Sequence, residues 1–287
     1  MSTICRAIIE TMGRNFPPHS IHRRQLLQGL CGGSLALFCP PLHATRPRLS
    51  SALLFGNARY PIAPLQNPVN DAHAMQRVLT RLGFATQIEV DANYTRMFDL
   101  LRAYLRRAES SDVRLVFFAG HGVQWRGRNY LIPIDANIRH ETELIARSID
   151  LDMIVDRLAA LRKGVSIIII DACRNNPFLP RRTRGPGNDA LGHDQDGLAP
   201  MYAPGGTLIA FSTAPGAVAV DSPEGENSIY TALLVERLAT PGLPVERLFK
   251  EVRAEVARRT GQRQVPWENS SLMGEFCFRQ GADGTCG

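Results

Sequence analysis

Long uninterrupted apolar segments are missing from this chain. The candidate nearest the N-terminus, Leu26 to Phe38, is broken by Cys31-Gly32-Gly33 and falls short of a bilayer span, so no stable membrane anchor is expected. Dense Lys/Arg runs interleaved with aromatics are also missing, which leaves a nucleic-acid role without support. The net charge of +6 does not restore one. Residues 1–44 hold four Arg and one Glu, or +3, and leave only +3 on the other 243 residues. None of the six cysteines forms a Cys-x-x-Cys pair, so a structural zinc site has no ligand set. No Gly-x-Gly-x-x-Gly follows the first expected strand, which excludes a Rossmann-type nucleotide binder. Internal repeats are absent. What is present is ordinary for a globular protein: 287 residues, 44% hydrophobic and 21% charged, enough for one large α/β domain or two small ones.

Two stretches stand out against this background. Ser166-Ile167-Ile168-Ile169-Ile170 has no period-2 alternation and reads as a strand buried on both faces, ending in Asp171-Ala172-Cys173-Arg174-Asn175. Leu115-Val116-Phe117-Phe118-Ala119 is a second apolar strand, ending in Gly120-His121-Gly122. Open α/β sheets carry their chemistry at the carboxyl ends of such strands. A thiol and an imidazole there supply a nucleophile and its base. Gly122 and the Cys173 backbone can offer amides to an oxyanion. His121 precedes Cys173 by 52 residues, the caspase-type spacing around an Ala-Cys-Arg nucleophile. Read without these partners, Cys173 would be a buried structural cysteine.

The sequence resembles the caspase-like cysteine peptidases, on the metacaspase branch that includes bacterial members, from about Ala52 to Phe278. Five stretches in order carry the resemblance: Leu53-Leu54-Phe55-Gly56-Asn57, Asn67-Pro68-Val69-Asn70-Asp71-Ala72, Phe118-Ala119-Gly120-His121-Gly122, Asp171-Ala172-Cys173-Arg174-Asn175 and Gln264-Val265-Pro266-Trp267-Glu268. It implies a three-layer α/β sandwich, an about six-stranded and mostly parallel sheet with helices on both faces. It implies a Cys173–His121 dyad and protein or peptide substrates cut after Arg or Lys. Asp71 and Asp171 match the metacaspase aspartates that line the pocket for that basic residue. Taken singly, Asp71 also suits a helix N-cap and Asp171 a turn after a strand. Some family members need calcium. The candidate ligands here are Asp135, Asp150 and Asp152, but Pro180 stands where a further acidic ligand would fall, so no cofactor is expected. A catalytically silent caspase-fold scaffold is the alternative reading, since fold alone does not guarantee turnover.

Residues 1–44 read as an export signal, with Arg23-Arg24 at the edge of the apolar stretch and Leu42-His43-Ala44 as an imperfect cleavage site. The expected location is periplasmic or secreted, or cytoplasmic if this segment is not a signal. Residues 45–287 then form the peptidase domain. In an oxidising compartment Cys277 and Cys286 could close a small C-terminal loop, leaving Cys173 as the free thiol.

The pattern predicts strands at 52–55, 85–90, 113–119, 165–170, 207–212 and 272–278. It predicts helices at 70–81, 94–107, 150–162, 228–238 and 245–260, and a hairpin around Arg126-Gly127. Residues 135–148 read as loop. The Pro- and Gly-rich stretch 179–205 reads as a flexible linker, with Arg181, Arg182 and Arg184 as self-cleavage candidates.

Overall fold

The computed structural model describes residues 48–138, 140–173, 198–215 and 226–286, with Cys173 as backbone only. Residues 46–287 make one compact unit. The expected export signal, 1–44, and most of the expected linker, 179–197 with its three arginines, lie outside the described residues.

The sheet runs β2 (Phe84–Val90), β1 (Ser50–Gly56), β3 (Val113–Trp125), β6 (Val165–Cys173), β7 (Thr207–Phe211), β8 (Trp267–Ser270). Every pairing along that path is parallel except β7 with β8. A branch is formed by β4 (Arg128–Leu131) on β3 and the two-residue β5 (Ile149–Asp150) on β4, both antiparallel. The β3–β4 turn is Arg126-Gly127, both at positive φ, as a tight hairpin with right-handed strand twist requires.

The isoleucine run explains the layering. Ile167 and Ile169 belong to one core cluster, and Ile168 and Ile170 to the other. On the first face lie α1 (Pro68–Arg81), α5 (Ile229–Leu238) and α6 (Val245–Arg259). On the second lie α2 (Tyr94–Ala108) and α4 (Leu151–Ala159). Each buried isoleucine contributes roughly 1.5–3 kcal/mol. This is the three-layer α/β sandwich. Among the described residues no helix is long and apolar enough to cross a membrane.

Several boundaries differ from the sequence pattern. Residues 141–147 are a helix, α3 (Glu141–Arg147), whose two turns are too short to display a period. The last strand is Trp267–Ser270, not 272–278. Phe276 and Phe278 are buried as core plugs, with rings 5.1 Å apart, and apolarity there marks insertion rather than a strand. The C-terminal end of the expected linker is also ordered. Leu198, Ala199, Met201 and Ala203 are buried, and the Asn129 side chain exchanges two hydrogen bonds with the Ala199 backbone, at 2.7 and 3.0 Å. Cys277 and Cys286 are joined in a disulfide, with Cα atoms 5.6 Å apart.

Candidate active site

Both expected site strands run further than their apolar residues suggest. The parallel ladder between β3 and β6 continues through Ala119↔Asp171 and Gly120↔Ala172 to His121↔Cys173. His121 and Cys173 are therefore register partners on neighbouring strands rather than loop residues beyond them. Adjacent strands lie about 4.8 Å apart, and register partners in a parallel pair share a face. Leu115, Phe117 and Ala119 face the α1/α5/α6 layer, as do Ile167 and Ile169. By period 2, positions 121, 171 and 173 fall on that same face.

His121 is buried, its imidazole contacted by Ala63 and Tyr60 and its backbone amide by Tyr60 as well. Nε2 lies 2.7 Å from the Ala63 carbonyl oxygen. A carbonyl can only accept, so Nε2 carries the proton and Nδ1 holds the lone pair of the neutral ring. The Tyr60 hydroxyl accepts from the His121 amide at 3.0 Å and donates to the Ile132 carbonyl at 2.9 Å. The Tyr60 ring packs 4.4 Å from the imidazole. Ala63 sits at φ +55°, in the left-handed region, within a loop pinned by Asp91, which accepts from the amides of Ala58 and Arg59 at 2.8 and 2.9 Å.

The flanking glycines are space-limited. At Gly120 (φ +156°) a Cβ would meet the Tyr60 hydroxyl at 2.6 Å and the Phe118 ring at 2.8 Å. At Gly122 it would approach Ala172 and Leu198 at 3.1 and 3.2 Å. Sequence reasoning missed Tyr60 and Ala63. Pro61 and Pro64 mark a constrained loop there, but a backbone carbonyl has no residue signature.

Asp71 and Asp171 come together beneath the same face. Asp71 is not the N-cap of α1. The helix begins at Pro68 after Asn67, and Asp71 lies in its first turn with its side chain turned inward. Its Oδ1 accepts from Asn227 Nδ2 at 2.8 Å and from the Ser228 amide at 2.9 Å. Asp171 Oδ2 accepts from the hydroxyls of Ser228 at 2.5 Å and Thr231 at 2.7 Å. Burial, then the like charge of Asp171, pushes Asp71 up to about 8, against the lowering effect of its donors. Burial also raises Asp171, and its hydroxyl donors oppose that rise. Among the described residues neither carboxylate has a Lys or Arg partner. The α5 N-terminus, with Asn227, Ser228 and Thr231, is thus a part of the acidic site that sequence reading registered only as a helix start.

Two of the three calcium candidates, Asp150 and Asp135, have partners within the fold. Asp150 caps α4, accepting from the Asp152 amide at 3.0 Å, and pairs with Arg128. Asp135 accepts from the Tyr94 amide at 2.8 Å. Among the described residues no group of three metal-ligating side chains converges.

A mostly parallel sheet between helix layers, with a histidine and a cysteine in register at the ends of its central strands, defines the class: a caspase-type α/β sandwich. The family model of the caspase domain, peptidase family C14, matches residues 50–277, and the chain belongs to that family. It is similar to mucosa-associated lymphoid tissue lymphoma translocation protein 1 of Homo sapiens, 22% identical over 194 residues, covering 65% of this chain and 21% of that protein. The Mus musculus homolog matches with the same identity and coverage. The chain spans about a fifth of the length of these curated relatives.

Proposed function

We propose that the chain is a cysteine endopeptidase that cuts protein or peptide substrates after Arg or Lys through Cys173 and His121. One observation carries the specificity: a buried acid pair that meets no Lys or Arg among the described residues, on the sheet face that also holds positions 121 and 173. Carboxyl groups withdrawn from water ionise only at a cost when no cation faces them. A guanidinium entering between them compensates that cost, and its planar fork suits two acceptors.

In the reaction, His121 Nδ1 takes the Cys173 proton and the thiolate attacks the scissile carbonyl carbon. The carbonyl electron pair moves onto oxygen, where the amides of Gly122 and Cys173 receive it. Collapse expels the leaving amine, which takes the proton from His121. Water, deprotonated by His121, then hydrolyses the thioester and returns the thiol. We infer an oxidising compartment as well, because the Cys277–Cys286 bond persists in one.

Turnover of fluorogenic peptides ending in Arg, Lys or Asp, by wild type and Cys173→Ala, tests the reading. Cleavage after Arg and Lys alone, abolished in the variant, is expected. A folded wild type with no turnover of any peptide would favour the scaffold alternative, and cleavage after Asp would overturn the pocket assignment.

A further inference from the structure

The donors around the acid pair are all neutral. A Lys or Arg in their place would neutralise the carboxylates and occupy the space that a substrate cation needs. Aliphatic residues would leave both acids protonated, since a buried carboxyl without donors gives up its charge. Hydroxyls and an amide fall between these limits.

Ser228 contacts both acids. Its amide donates to Asp71, and its hydroxyl proton goes to Asp171. The same oxygen accepts from the Thr231 amide at 2.9 Å, so it caps α5 as well. A capping serine has one proton to give and usually spends it on solvent. Here it is spent on the second acid. Thr231 is buried, and its hydroxyl reaches across to a strand on another element instead of bonding back to its own helix. The segment before α5 is anchored at α1 too, with Asn67 Nδ2 donating to the Glu226 carbonyl at 2.7 Å.

We propose that Ser228 and Thr231 are specificity-setting positioning residues, whose hydroxyls hold Asp171 as the charged acceptor of the acid pair for a basic side chain. This rests on the peptidase reading above. The titratable groups around Asp171 are few. Asp71 faces it from α1 and Tyr230 from α5, and Glu268 of β8 acts on Tyr230 while paired with Arg253. His121 lies two register positions further along β3. Burial and these acids hold Tyr230 neutral, well above its ordinary range. Removing a hydroxyl from Asp171 removes an effect that lowers its proton affinity. The pair then carries less charge at neutral pH and regains it only at higher pH.

The test compares Thr231→Val, which keeps shape, with Thr231→Ser, which keeps the hydroxyl, and Ser228→Ala with Ser228→Thr. KM and kcat for an Arg-ending peptide are followed from pH 6 to 9, alongside iodoacetamide alkylation of Cys173. Thr231→Val should raise KM at pH 7 about tenfold, the weight of one hydrogen bond to a charged group. The KM profile should move to higher pH while kcat and the alkylation rate stay near wild type. Thr231→Ser and Ser228→Thr should restore the wild-type profile. A Thr231→Val protein of lowered melting temperature but unmoved KM profile would show the hydroxyl to be structural and overturn the inference, leaving the peptidase reading intact. A wild type that cleaves Arg- and Leu-ending peptides equally would instead remove the acidic-pocket reading, and this inference with it.

Discussion

Asp71→Asn should stabilise the protein while damaging its specificity. The folded state holds the Asp71 carboxyl at about 8, against an ordinary value of 3.8. An acid whose affinity for protons rises on folding contributes stability below its unfolded pKa, and loses that contribution as pH climbs through the folded one. The window is therefore pH 4 to 8. At pH 7 the unfolded chain has lost a proton that the fold retains. That is about three pH units at roughly 1.4 kcal/mol each, or a ceiling near 4 kcal/mol. Relaxation around a buried pair reduces it, so a gain of about 1–3 kcal/mol is expected. Asparagine keeps an oxygen to accept from Asn227 and Ser228, and it cannot acquire a charge facing Asp171 as pH rises. Urea unfolding at pH 5 and pH 8 measures the effect. Wild type should weaken between the two, the variant much less, and at pH 7 the variant should melt higher by about 2–4 °C per kcal/mol gained. Its cleavage after Arg should fall by about 2 kcal/mol in kcat/KM, roughly thirtyfold, because asparagine cannot give up a proton and become an anion when a guanidinium enters, as Asp71 can. A variant equally destabilised at both pH values, with the wild-type slope retained, would refute the argument.

Iodoacetamide at pH 7 should modify Cys173 first among the thiols, and His121→Ala should slow that reaction at least several-fold, because the imidazole promotes the thiolate. Equal rates in both proteins would remove His121 as the base. Gly120→Ala should destabilise by roughly 2–4 kcal/mol in a denaturant titration, since its Cβ meets both Tyr60 and Phe118 below 3 Å, and an unchanged midpoint would show the loop free to yield. Reduction of the Cys277–Cys286 bond, or Cys286→Ser, should each lower stability by about 2–3 kcal/mol, as expected for releasing a loop of about ten residues, and unequal losses would point to strain or thiol effects beyond loop entropy.

The sequence by itself determined the architecture and the two candidate positions, 121 and 173. Four consecutive isoleucines point to a strand covered on both faces, and two apolar strands end in His121 and Cys173, the proposed base and nucleophile. The Cys277–Cys286 pairing was open in the sequence as one of three among Cys173, Cys277 and Cys286, and the fold selects it. The final strand was not legible. Side-chain period cannot separate a strand from core-inserting phenylalanines, and Phe276 and Phe278 mimic one while Trp267–Ser270 pairs with β7. Only the tertiary structure decided that His121 and Cys173 are register partners, because register depends on where two strands 52 residues apart are cut in alignment. It alone brought the Ala63 carbonyl to Nε2, since a main-chain acceptor is the same atom in every residue. The union of Asp71, Asp171, Ser228 and Thr231 likewise needed the fold. These residues come from a helix, a central strand and a second helix up to 160 residues apart, and only the packing of α1 and α5 on one sheet face makes them neighbours.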